Sequence, residues 1–62
     1  MDSIEIQYRL KKLNRTQKYL SKIFRTKESH ISVAISGING EPRYEKLRDK
    51  IIRHIKLLEA KQ

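Results

Sequence analysis

The chain has 62 residues and carries 15 Lys or Arg against 7 Asp or Glu, a formal charge of +8. That length allows one domain, and a chain so short buries only about 60% of its unfolded surface, so its core is small. Hydrophobic residues make up 37%, with Ile prominent, and there is no Cys, which excludes a disulfide staple or a thiolate metal site as reinforcement. No apolar run approaches the ~18 residues needed to span a bilayer. The start, Met1-Asp2-Ser3, lacks the basic-then-apolar pattern of a secretory signal, so a cytoplasmic protein without a membrane partner is expected. A catalytic cavity or small-molecule site is hard to build from so few residues. The charge points instead to a polyanionic partner.

The basic groups are spread along the chain, with no like-charge block of the kind that forms a disordered tail. Both Gly and the single Pro fall in Gly37-Ile38-Asn39-Gly40-Glu41-Pro42, the one strong loop signal. Everything else reads as helix. The first helix is expected from Ser3 to about Leu13, capped by Asp2 or Ser3, with Glu5 at the capping-box position relative to Asp2. Ile6, Leu10 and Leu13 form its apolar face, and Asn14 is its expected stop. The second helix follows Thr16, a good N-cap, and buries Leu20, Ile23 and Phe24 before ending near Phe24. The third spans Lys27 to Ser36, with Ile31 and Ile35 inward and Glu28, Ser29, Ser32 and Ser36 on a short polar outer face. Gly37 ends it. The fourth follows Pro42 and runs to about Glu59. Its stripe is Tyr44, Leu47, Ile51, Ile55 and Leu58, and Ile52 and Leu57 lie off that stripe.

Residues 16–37, TQKYLSKIFRTKESHISVAISG, resemble the helix-turn-helix of the Cro and lambda-repressor-like DNA-binding proteins. Thr16-Gln17 opens the second helix, and Leu20-Ser21 supplies a large apolar residue followed by a small one. Phe24 closes that helix, Ile31-Ser32 sits mid-way through the third, and Gly37 follows. Two helices that cross steeply approach closely, so a small residue such as Ser21 is needed at the crossing, with Ile31 filling the space between them. Three residues depart from the pattern. Arg25 stands where the turn usually has Gly, so it must accept a left-handed conformation. Thr26 stands where an apolar residue is common, and Lys27 where Ser or Thr often caps the third helix. Thr26 is the expected substitute cap, one residue early.

The resemblance implies an all-α bundle of four or five helices, a single lambda-repressor-like domain over 1–62, with the helix-turn-helix at about 16–37 and a C-terminal helix at about 43–59. It implies that the third helix enters the major groove. Lys27, Glu28, Ser29, Ser32, Val33 and Ser36 are then the candidates for base contacts, with Glu28 able to accept from cytosine N4 and Val33 able to meet a thymine methyl. Gln17, Lys18, His30, Asn39 and Arg43 are the phosphate candidates. So small a module gains specificity by pairing on a palindromic operator, which makes a homodimer the expected state. Ile52, Leu57 and Leu58 are the candidate dimer contacts, against the plain alternative that they only complete the core.

Other chemistries find little support. His54 has no Cys or second His at helical spacing with which to share a metal, so no metal or other cofactor is expected. Ser29, Ser32 and Ser36 have no base and orienting carboxylate arranged beside them, so no enzyme is expected. Tyr8, Tyr19 and Tyr44 read as core-edge residues, not base stackers. The expected function is a Cro-like regulator of phage or mobile-element type that acts by occupying an operator and is nucleoid-associated when bound. The alternatives are a protein-binding adaptor such as an antitoxin, antirepressor or inhibitor, and a nonspecific nucleic-acid or membrane-surface binder that uses charge alone.

Overall fold

A computed structural model describes residues 1–38 and 40–61. The chain folds as an all-α bundle of four helices, α1 (Ser3–Lys12), α2 (Gln17–Ile23), α3 (Glu28–Ser36) and α4 (Pro42–Ala60). No fifth helix occurs among the described residues. Asn39, an expected phosphate contact, lies outside them. No described helix is long and apolar enough to cross a membrane.

The centre of the bundle is α3, which packs against each of the other three helices. Ile31, Ala34 and Ile35 of α3 are buried with Ile6 and Leu10 of α1, Leu13 just past it, Leu20 of α2, and Tyr44, Ile51 and Ile55 of α4. Each fully buried aliphatic of this kind contributes about 1.5–3 kcal/mol of transfer free energy, so these few side chains supply most of the driving force. Leu47 and Leu58 are partly buried against the same core. Ala34, which the Ile31/Ile35 spacing alone did not single out, lies three residues from Ile31 on the same face, and its one methyl lets neighbouring helices close in.

Helices α1 and α2 end the same way. Leu13 and Phe24 are the C-caps, and the residues after them, Asn14 (φ 56°) and Arg25 (φ 52°), are left-handed. Asn14 N–H donates to the Lys11 carbonyl at 3.1 Å and Arg15 N–H to the Leu10 carbonyl at 2.9 Å. One helix on, Arg25 N–H donates to Lys22 and Thr26 N–H to Ser21 at 3.0 Å. Both are Schellman turns, which satisfy the carbonyls a helix end would otherwise leave unpaired. At the close of α3, Gly37 (φ 69°) takes the left-handed position without Cβ strain.

The starts of the helices differ. Asp2 accepts from Glu5 N–H at 2.8 Å, and Thr16 accepts from Tyr19 N–H at 3.1 Å. The expected cap by Thr26 does not form. Lys27 occupies the N-cap of α3, no side chain caps that helix, and the Thr26 hydroxyl lies 3.4 Å from His30 Nδ1 instead. Thr26 is consumed by the Schellman turn, so it stands one residue too early to reach the first turn of α3.

One expected burial, Ile23, and one expected core-edge position, Tyr8, also fail. Ile23 is 41% exposed. It is the last residue of a two-turn helix whose principal neighbour is α3, and a stripe through Leu20 and Phe24 is wide enough for one contact. Tyr8 is 59% exposed. It stands two residues from Ile6, roughly 160° around the helix from the core.

Among the described residues, three long-range polar contacts link α4 to the segments before it. Arg9 pairs with Glu59 at 2.8 Å, joining α1 to α4. The Tyr19 hydroxyl lies 2.7 Å from His54 Nε2, joining α2 to α4. Arg48 of α4 donates to the Met1 carbonyl.

Candidate nucleic-acid interface

The α2–turn–α3 segment presents one helix whose inner face is fully used by the core and whose outer face is free. Lys27, Glu28, Ser29 and Ser32 are all exposed. Glu28 and Ser32 are four residues apart and Ser29 and Ser32 three, so they form one continuous patch along the first two turns of α3. The two serines are short, which lets another surface approach the helix backbone closely beside them. Exposed cations precede the patch in the chain: Lys18 and Lys22 on α2 and Arg25 in the turn.

The remaining base-contact candidates sit deeper. Val33 is partly buried and packs against the core. Ser36 is half-buried, and its hydroxyl donates back to the Val33 carbonyl at 2.7 Å, while Ile38 N–H reaches the same hydroxyl at 3.4 Å. These two side chains are engaged in closing the helix. The structure therefore gathers four of the six residues on an open surface and ties the other two into the fold.

The phosphate candidates divide in the same way. Lys18 is exposed. Gln17 is half-buried and lines a shallow notch of ≈ 230 Å³ with Gln7, Leu10, Lys11 and Arg15. His30 is half-buried, with Thr26 on one side and the Tyr44 ring edge-on at 5.9 Å on the other. Arg43 is exposed, but its Nε meets Glu41 Oε2 at 2.8 Å and its guanidinium lies 4.8 Å from the Tyr44 ring centroid. An exposed pair of this kind is worth at most about 1 kcal/mol and yields readily to a stronger anion.

The candidate dimer residues are likewise split. Ile52 and Leu58 pack partly against the core, and Leu57 is 52% exposed.

Sequence reasoning passed over Arg15 and Lys11, and singled out Arg25 only for its place in the turn. Arg15 joins α1 to α2, donates to the Leu13 carbonyl at 3.2 Å, and lies 5.0 Å from the Tyr19 ring centroid. Its place directly before the Thr16 cap was the available signal, since a basic residue there must lie near the start of α2. The Tyr19–His54 contact had no local signal, because the two are 35 residues apart. Burial first, and then the nearby charges of Arg15 and Lys61, push the His54 pKa below its ordinary value, so a neutral ring is favoured there. A neutral ring can accept the phenolic proton through Nε2. His54 also meets Phe24 edge-on at 6.0 Å, so it braces the end of α2. Among the described residues no group of three His, Asp or Glu gathers to hold a metal ion.

Comparison with protein-family models, with curated proteins and with solved structures returned no match.

Proposed function

We propose that the chain binds double-stranded DNA in a sequence-specific way, with α2 and α3 acting as a helix-turn-helix of the lambda-repressor-like kind, and that it regulates transcription by occupying an operator. The observation that carries this reading is the outer face of α3. Lys27, Glu28, Ser29 and Ser32 are exposed in one patch on a helix whose opposite face is buried, with Lys18, Lys22 and Arg25 exposed on the adjoining segment. A helix that spends its inner face on the core and keeps short hydrogen-bonding groups outward is suited to reading base edges in a major groove. The exposed cations of α2 and the turn suit contacts with a phosphate backbone. The net charge of +8 favours association with a polyanion in general, and the α3 patch supplies what charge lacks, a means to tell sequences apart.

Selection from a random pool of duplex DNA tests the proposal. A palindromic consensus is the expected result, and Glu28→Gln with Ser32→Ala should shift the preferred bases. Lys18→Ala should weaken all sites alike and lower the salt slope by about one. No enrichment over the starting pool overturns the reading in favour of charge-driven binding or of a protein partner.

A further inference from the structure

We propose that the outer face of α1 is a self-pairing surface, on which a second copy of this chain lies antiparallel across a two-fold axis that passes near Tyr8. Ile4 is 79% exposed and Tyr8 59%. They stand two residues before and two after Ile6, which is fully buried, so both point away from the core. Lys12 extends the same i, i+4 row. Its ammonium lies 5.3 Å from the Tyr8 ring centroid, and its methylene stem lengthens the apolar strip.

The charges beside this strip decide what covers it. Glu5 and Lys12 are both exposed and lie two turns apart, on the same side of the Ile4–Tyr8 row. A two-fold axis perpendicular to paired antiparallel helices sets like flanks together with their directions reversed. Glu5 of each copy then faces Lys12 of the other, twice over. Tyr8 meets Tyr8, and Ile4 lies along the Lys12 stem of the second copy. Parallel pairing would instead set the Glu5–Lys12 flanks of the two copies on opposite sides of the seam, where neither cross-pair can form. The surface is thus complementary to itself in one orientation. Glu5 also touches Arg9 at 3.3 Å, but that contact is exposed and weak enough to be shared.

A ten-residue helix is about 15 Å long, and one face of it cannot bury the roughly 1,200–2,000 Å² of a stable complex. The pairing is therefore weak in free solution. Two half-sites on one duplex would strengthen it by raising the effective concentration of one copy near the other. In this respect the pairing deepens the DNA-binding reading, which calls for two copies. Its test contains no DNA, so either proposal can fail without the other.

The test is sedimentation equilibrium at low salt from about 10 µM to about 1 mM, with circular dichroism to verify folding of every variant. The wild-type chain is expected to show a reversible monomer–dimer equilibrium, and Tyr8→Lys, which changes a side chain outside the core, to weaken it at least about tenfold. Glu5→Lys places bases at both flank positions and Lys12→Glu places acids at both. Each alone should dimerise about threefold to tenfold more weakly. An equimolar mixture of the two should recover pairing as a heterodimer. A chain that stays monomeric over the whole range overturns the proposal. So does a mixture that pairs no better than its components, and so does a dimer indifferent to all three α1 substitutions but lost on Leu57→Lys.

Discussion

Helices α1 and α3 are nearly the same length and bury aliphatic side chains in the same core, yet their surfaces and ends are built differently. The first starts on a satisfied cap, Asp2, and exposes two large apolar side chains, Ile4 and Tyr8. The third starts on Lys27 with no side-chain cap, and exposes Lys27, Glu28, Ser29 and Ser32. Inner faces are dictated by the need to bury area, so they converge. Outer faces are free of that demand, and both proposals rest on their divergence: an apolar strip with charges beside it on α1, proposed to meet a second copy, and a polar patch on α3, proposed to meet DNA.

The sharpest way to break the comparison is to change the two faces of α3 separately. Ile31→Ala removes a fully buried side chain at the hub of the bundle and should cost about 2–5 kcal/mol. A 62-residue domain has roughly 3–9 kcal/mol to lose, so the variant should be partly unfolded near physiological temperature. Ser32→Ala, one residue on but outward, should leave stability within about 0.5 kcal/mol and change only the preferred DNA sequence. Urea titration followed by circular dichroism separates the two. A large loss of stability in Ser32→Ala would show that the outer face of α3 is structural.

That division also shows what the sequence could and could not reveal. Ile6, Leu10, Leu13, Ile31, Ile35, Ile51 and Ile55 were legible as core because helical periodicity is strong and local. The left-handed turn at Arg25 was legible from its place in the segment, even without Gly. Ile23, Tyr8 and Thr26 were misread because their fate depends on how many neighbours a helix has and where the preceding turn ends. Within the candidate site, the outward placement of Glu28, Ser29 and Ser32 followed from periodicity, and Lys27 was singled out through the resemblance of residues 16–37. The engagement of Ser36 with the Val33 carbonyl and of His30 with Thr26 and Tyr44 did not, since it depends on the closing turn and on α4. Contacts spanning 35 and 50 residues, Tyr19–His54 and Arg9–Glu59, leave no pattern in a single sequence.

The helix starts give a smaller and opposite pair of effects. Asp2→Ala removes the bond to Glu5 N–H and should cost about 0.5–2 kcal/mol. Lys27→Ser supplies the cap that α3 lacks and should add about 0.5–1 kcal/mol. Thermal unfolding should shift down for the first and up for the second. If Lys27→Ser also weakens DNA binding, then the lysine is held at the cap for its charge at some expense of stability. If it stabilises the fold and binding is unchanged, Lys27 drops out of the interface and the patch on α3 begins at Glu28.

The smallest effect distinguishes how α4 holds α1 from how it holds α2. The link to α1 rests on Arg9, a guanidinium that keeps its charge at any ordinary pH and whose pKa is raised further, chiefly by its hydrogen bond to Glu59. The link to α2 rests on His54, whose pKa lies below the ordinary 6.5 through burial and then through Arg15 and Lys61. In the window between that lowered value and 6.5, the unfolded chain binds more protons at this ring than the folded one, so stability increases with pH. The His54 contribution is complete above about pH 6.5 and is lost as the pH falls toward the folded-state value. Urea midpoints should decline across that window in the wild-type chain and flatten in His54→Gln. Amide exchange, corrected for its intrinsic pH dependence, should show protection falling in α2 before α1. Equal loosening of both helices would mean that α4 releases the bundle as one unit, and that the Tyr19–His54 contact is a consequence of packing and not a separate hold on α2.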